Sequence, residues 1–172
     1  MCTRKIFGGV FPADLLPKQK ISKKTIYIVN LDVSSLPGSH WVLIYITKPK
    51  FGVYFDSSGS DFVANKYIKH FFEKNCRQVV VNTKQVQNFG SSTCGLYVCE
   101  LALHLAKGGK MIEFLRMFSS EKLGENDFFI QQMFDASFKN RVKKPAKVTH
   151  NDGLGTCCEL CIQTCSDLFS AI

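Results

Sequence analysis

Gln87-Asn88-Phe89-Gly90-Ser91-Ser92-Thr93-Cys94-Gly95-Leu96-Tyr97-Val98-Cys99-Glu100-Leu101-Ala102-Leu103-His104-Leu105-Ala106-Lys107 is the stretch that decides the fold. Its first part continues a polar run, 83–93, that holds Asn88, Gly90 and two serines and reads as a loop. From Cys94 to about Lys107 the residues are apolar nearly all round a helix, and such a helix belongs in the middle of a domain. Gly108-Gly109 ends it. Glu100 and His104 interrupt the run, which is too short and too polar to cross a bilayer.

Working outward, the elements that can surround such a helix come from periodicity. Residues 25–31 are β-branched and apolar and read as a strand; 41–46 is a near-continuous apolar run, as expected of a buried strand. Lys48-Pro49-Lys50 turns the chain into a strand at 52–56, so 41–56 reads as a hairpin. Ser60 or Asp61 can cap a helix running to about Asn75, whose apolar positions follow helical spacing. Val79-Val80-Val81 centres a strand at 78–82, while 11–17, held between prolines, reads as a loop. Amphipathic helices fit 110–118 and 125–138, and a basic link, 139–149, leads to a last cysteine-rich helix at 155–170. The expected fold is one α+β domain over 1–172, a mainly antiparallel central sheet packed against helices with Cys94 heading the buried one.

That position gives Cys94 chemical meaning. A thiol at a helix N-terminus sits at the positive end of the macrodipole, which favours the thiolate, the attacking species. Upstream lie His40-Trp41 and Asp56. In a 41–56 hairpin, His40 and Asp56 share the open end, where Asp56 would fix the imidazole tautomer and His40 would act as base to Cys94. The backbone N–H of Cys94 and the Gln87 amide are candidate oxyanion donors, and Gly95 lets a substrate backbone come close. Taken singly, each residue has a plainer reading: a cysteine packed as a small hydrophobe, a structural histidine, a turn aspartate. The four in this order, with Gln87 seven residues before Cys94, point to a cysteine protease.

Composition bounds the rest. With 45% apolar and 12% aromatic residues the chain is globular rather than disordered. The net charge of +8 is uneven: Lys18, Lys20, Lys23 and Lys24 form one cluster, and Lys139, Arg141, Lys143, Lys144 and Lys147 another. Two readings stay open, a polyanionic partner such as nucleic acid and a solvated basic face. The N-terminus has no signal-peptide h-region, so secretion is not expected and most of the eight cysteines should be reduced thiols.

The pattern His-Trp, then an acid, then Gln-x6-Cys-Gly-x-Tyr resembles the adenovirus-type cysteine endopeptidases, carried also by adenovirus-like viruses and Maverick/Polinton-type mobile elements. The resemblance covers roughly residues 7–105. Deconjugating proteases for SUMO-like and ubiquitin-like proteins share the triad. They usually place Gln one residue closer to Cys, with Asp directly before it, where this chain has Thr93. The resemblance implies a Cys94–His40–Asp56 triad with Gln87, cleavage of precursor capsid or core proteins at Gly-containing sites, and a substrate channel flanked by Trp41 and Gly95. It also implies a monomer working in the virion and in the host nucleus or cytoplasm. Two alternatives remain, deconjugation of a ubiquitin-like protein and a non-enzymatic basic nucleic-acid-binding or scaffold protein.

The same resemblance gives Cys76 a candidate role, a disulfide with an activating capsid-derived peptide, beside the plain reading of a free edge thiol. DNA is the second cofactor it implies, and no metal is expected. Cys99 reads as buried packing. Cys157, Cys158, Cys161 and Cys165 trace one helical stripe; docking or core packing, a zinc site drawing on His150, and redox or lipid attachment all stay open.

Overall fold

The computed structural model describes residues 6–48 and 50–139. Five strands and four α-helices follow in the order β1 (Phe7–Pro12), a 3-10 turn (Ala13–Leu15), β2 (Thr25–Asn30), β3 (Trp41–Lys48), β4 (Lys50–Phe55), α1 (Lys66–Asn75), β5 (Cys76–Val81), α2 (Cys94–Ala106), α3 (Met111–Leu115) and α4 (Leu123–Lys139). The strands form a single sheet in sequence order, β1-β2-β3-β4-β5. Its centre, β2-β3-β4, is antiparallel, and both outer pairings are parallel. The fold is α+β.

Strand alternation splits the core between two faces of the sheet. Ile26, Ile28, Leu43 and Phe55 face α2, α3 and α4, and meet Leu101, Phe114, Ile130 and Phe134. Tyr27, Val29, Ile44 and Tyr54 face the other way onto Ile68, Phe71 and Phe72 of α1. A sheet covered on both faces explains why 41–46 is apolar without alternation: Val42, Leu43, Ile44 and Ile46 are all fully buried. Helix α2 is buried along nearly its whole length, as its sequence requires.

Two local expectations are corrected. Residues 7–12 form an edge strand, where the sequence offers only a loop at 11–17. The strand signal is masked by Gly8-Gly9, and Gly8 is needed for close approach: a Cβ there would lie 2.3 Å from the Tyr27 ring. The helix expected from Ser60 or Asp61 starts at Lys66. The Asp61 carboxylate accepts only the Val63 N–H in a local turn, whereas the Asn65 side chain accepts from Tyr67 N and Ile68 N and is the true cap. The 155–170 helix lies outside the described residues.

Candidate active site

The hairpin brings His40 and Asp56 to one end of the sheet. Register Leu43↔Phe55 leaves His40, just before β3, opposite the residues just after β4. The His40 carbonyl accepts from Leu31 N (2.9 Å), which ties the approach to β3 onto the end of β2. Asp56 is 2% exposed, and its peptide unit is bracketed by the Asn82 carboxamide: Asp56 N donates to Asn82 Oδ1 and Asn82 Nδ2 donates to Asp56 O, both at 2.8 Å. Three donors converge on Asp56 Oδ1, namely Ser58 N (2.8 Å), Ser58 Oγ (2.7 Å) and His40 Nε2 (2.7 Å). The carboxylate is therefore locked before any substrate arrives.

Because Nε2 donates to Asp56, the other ring nitrogen, Nδ1, is left for Cys94, with which His40 also hydrogen-bonds. Burial alone would pull the imidazole down. The hydrogen bonds His40 makes to Asp56 and with Cys94, and the charges behind them, outweigh it and push His40 up to about 10. Cys94 is the first residue of α2, 3% exposed and in no disulfide. No side chain caps the helix at Thr93, so its first turn keeps the positive end of the dipole by the sulfur. Asp56, His40 and Cys94 thus form one hydrogen-bonded line. Such a line can draw a proton off a thiol and hand it to a leaving group.

Gln87 is buried, but its carboxamide is engaged. The oxygen accepts from Ser57 Oγ (2.5 Å), and the nitrogen donates to Ser91 O (2.7 Å) and Ser91 Oγ (3.1 Å). The oxyanion role expected of Gln87 requires Ser91 to release one of those hydrogens. Ser57, next to Asp56, also accepts Val86 N and Gln87 N at its carbonyl, so one segment positions both the acid and the glutamine.

Sequence reading missed the anchor of the loop before the nucleophile. Asn126 and Asp127, on α4, clasp it. Asn126 Nδ2 donates to Val86 O (2.9 Å), while Asp127 accepts from Asn88 N (3.2 Å), Thr93 Oγ1 (2.9 Å) and Tyr97 Oη (3.0 Å). Their sequence, inside a helix, carries no local signal for a contact some 35 to 40 residues away in the chain.

Trp41 is half-buried beside a groove of about 360 Å³ that it shares with Val10, Phe11 and Leu36. Gly95 is buried in the first turn of α2. Cys76 opens the edge strand β5, with its sulfur packed where a Gly52 side chain would be, against Phe72; burial pushes the thiol up to about 11. Cys99 is fully buried. Among the described residues no cluster of three or more His, Cys, Asp or Glu side chains is placed to hold a metal, and no helix is long and apolar enough to cross a membrane. Cys157, Cys158, Cys161, Cys165 and His150 lie outside the described residues, as does nearly all of the basic 139–149 link.

No family model matches the sequence, and no curated protein matches it. Among solved structures, the chain is similar to the crystal structure of the ASFV pS273R protease, with a TM-score of 0.40 and 18% identity over 63% of this chain. The likeness takes in 43% of that protease's chain, less than half its length.

Proposed function

We propose that the chain is a cysteine endopeptidase with Cys94 as nucleophile, His40 as acid–base and Asp56 as the group that orients it. The observation that carries this reading is the hydrogen-bonded line from Asp56 through His40 to Cys94 at the head of a buried helix. His40 takes the thiol proton, and the thiolate attacks the scissile carbonyl carbon. As the tetrahedral intermediate collapses, the imidazolium returns the proton to the departing amine and a thioester remains. His40 then takes a proton from water, hydroxide adds to the thioester, and the acid product leaves Cys94. The Cys94 N–H and a Gln87 amide released from Ser91 are the proposed oxyanion donors.

The proposed substrates are precursor capsid or core proteins of a virus-like particle, cut at Gly-containing sites; this rests on the sequence resemblance. The groove beside Trp41 would take the apolar residue preceding the glycines, and a narrow passage over Trp41 and Gly95 suits residues without side chains. An activating peptide could add to the free edge of β5, where Val80 is exposed, and bond to Cys76. The half-buried, protonated state of that thiol makes such exchange slow. DNA at the basic clusters is the other proposed cofactor.

The test is a panel of capsid-precursor peptides and ubiquitin-like fusions, presented to the wild type and to Cys94→Ala. Cleavage of the precursor peptides that disappears in Cys94→Ala supports the reading. Selective cleavage of the fusions would move the assignment to deconjugation, and turnover that survives Cys94→Ala would reject the nucleophile.

A further inference from the structure

On the face of the sheet opposite α2, the 3-10 turn and α1 enclose a groove of about 590 Å³, a size typical of ligand sites. Its floor is apolar, with Leu16 and Phe71 almost fully buried at the bottom. Its rim carries three lysines, Lys66 and Lys74 from α1 and Lys18 from the loop, with His70 between the two on the helix.

The cations are placed at a cost to the free chain. Lys66, His70 and Lys74 stand at i, i+4 and i+8, one row of the helix with no acid in it. Lys66 also occupies the first turn of α1, which holds no acid and where the dipole disfavours a cation. The neighbouring row, by contrast, mixes signs in Lys69 and Glu73. Lys18 is held at the rim because its carbonyl accepts from Lys74 Nζ, and Ile21 N donates to Asn75 Oδ1 (2.8 Å), which ties this loop along α1. The acid that lines the groove, Asp14, offsets only part of this charge. Its two oxygens accept from Ser34 N (2.7 Å) and Ser34 Oγ (2.8 Å).

We propose that this groove docks an acidic peptide segment of a partner protein, with a bulky apolar side chain on Leu16 and Phe71 and flanking carboxylates on Lys66 and Lys74. The spacing defines the segment. Eight residues of helix separate Lys66 from Lys74 by about 12 Å. An extended peptide covers that span in about four residues, and its first, third and fifth side chains share one face. The fitting pattern is therefore acid-x-aromatic-x-acid. A nucleic-acid backbone would satisfy the lysines but leave the apolar floor unfilled. The site is separate from Cys94, so docking leaves the nucleophile open and is independent of the catalytic reading.

Fluorescence anisotropy of the full chain with a fluorescein-labelled peptide containing Glu-Ser-Phe-Ser-Glu tests the proposal. Saturable binding is expected, with Kd raised at least tenfold by Lys66→Glu, by Lys74→Glu, and by replacing the peptide's Phe with Ala. Iodoacetamide labelling of Cys94 at an unchanged rate in both variants shows that the fold is intact. Absence of binding, or binding indifferent to these changes, overturns the proposal. So does an oligonucleotide that displaces the peptide and binds more tightly through the same lysines. Zero-length crosslinks in the peptide-free chain from Lys66 or Lys74 to Asp152, Glu159 or Asp167 would overturn it too, by making the chain's own C-terminal segment the occupant.

Discussion

His40 is the residue on which the site turns, because burial and its two partners act on it in opposite directions. Burial lowers its proton affinity; Asp56 and Cys94 raise it further than burial lowers it, to about 10 against an ordinary 6.5. The sign of the linked stability follows. A folded-state value above the unfolded one means that His40 stabilises the fold fully below about pH 6.5. That contribution is lost as the pH rises toward 10. Thermal melting between pH 6 and 10.5 should therefore show the wild type losing more stability than His40→Gln. The residues of the line itself were legible, since a thiol at a helix start, a His at a strand start and an Asp at the far end of a hairpin each carry a local signal. The engagement of Gln87 by Ser91 was not, because a loop's backbone path decides which acceptor an amide meets.

At the scale of elements, α4 holds the loop before Cys94, although it contributes nothing to the proposed triad. Asn126, 5% exposed, donates to Val86 O and Ser119 O and accepts from Ser119 N. Truncation to Asn126→Ala removes a partner from three backbone groups, one at buried Val86 and two at half-buried Ser119. It should cost about 1–3 kcal/mol in denaturant unfolding. Turnover should fall as well, since Val86 directly precedes Gln87. Equal stability for the variant and the wild type would remove α4 from the account. The helices were readable from their apolar spacing, and α2 from its start at Cys94, but the start of α1 was not. Asp61 and Asn65 are both plausible caps by residue type, and only the backbone entering from β4 selects Asn65. The edge strand β1 escaped notice because its glycines serve the close packing of Tyr27 instead of strand propensity.

Over the whole molecule, the sheet separates two cores, and α2, headed by Cys94, belongs to the larger of them. Leu101, fully buried on α2, should cost about 2–5 kcal/mol when truncated to Ala, as measured by chemical unfolding. The buried central helix and the antiparallel centre were legible from one apolar run and one hairpin. The parallel edges were not, since nothing local in β1 or β5 encodes the direction of a partner reached through a crossover. The central claim is that this frame delivers an activated thiol at Cys94, and Cys76 supplies an internal reference, a half-buried thiol held protonated near neutrality. Site-resolved alkylation by iodoacetamide at pH 6, read by mass spectrometry in the wild type and in His40→Ala, tests it most directly. The account predicts that Cys94 reacts at least tenfold faster than Cys76 and that His40→Ala abolishes the difference. A wild-type Cys94 no faster than Cys76, or one whose rate is untouched by His40→Ala, would contradict it.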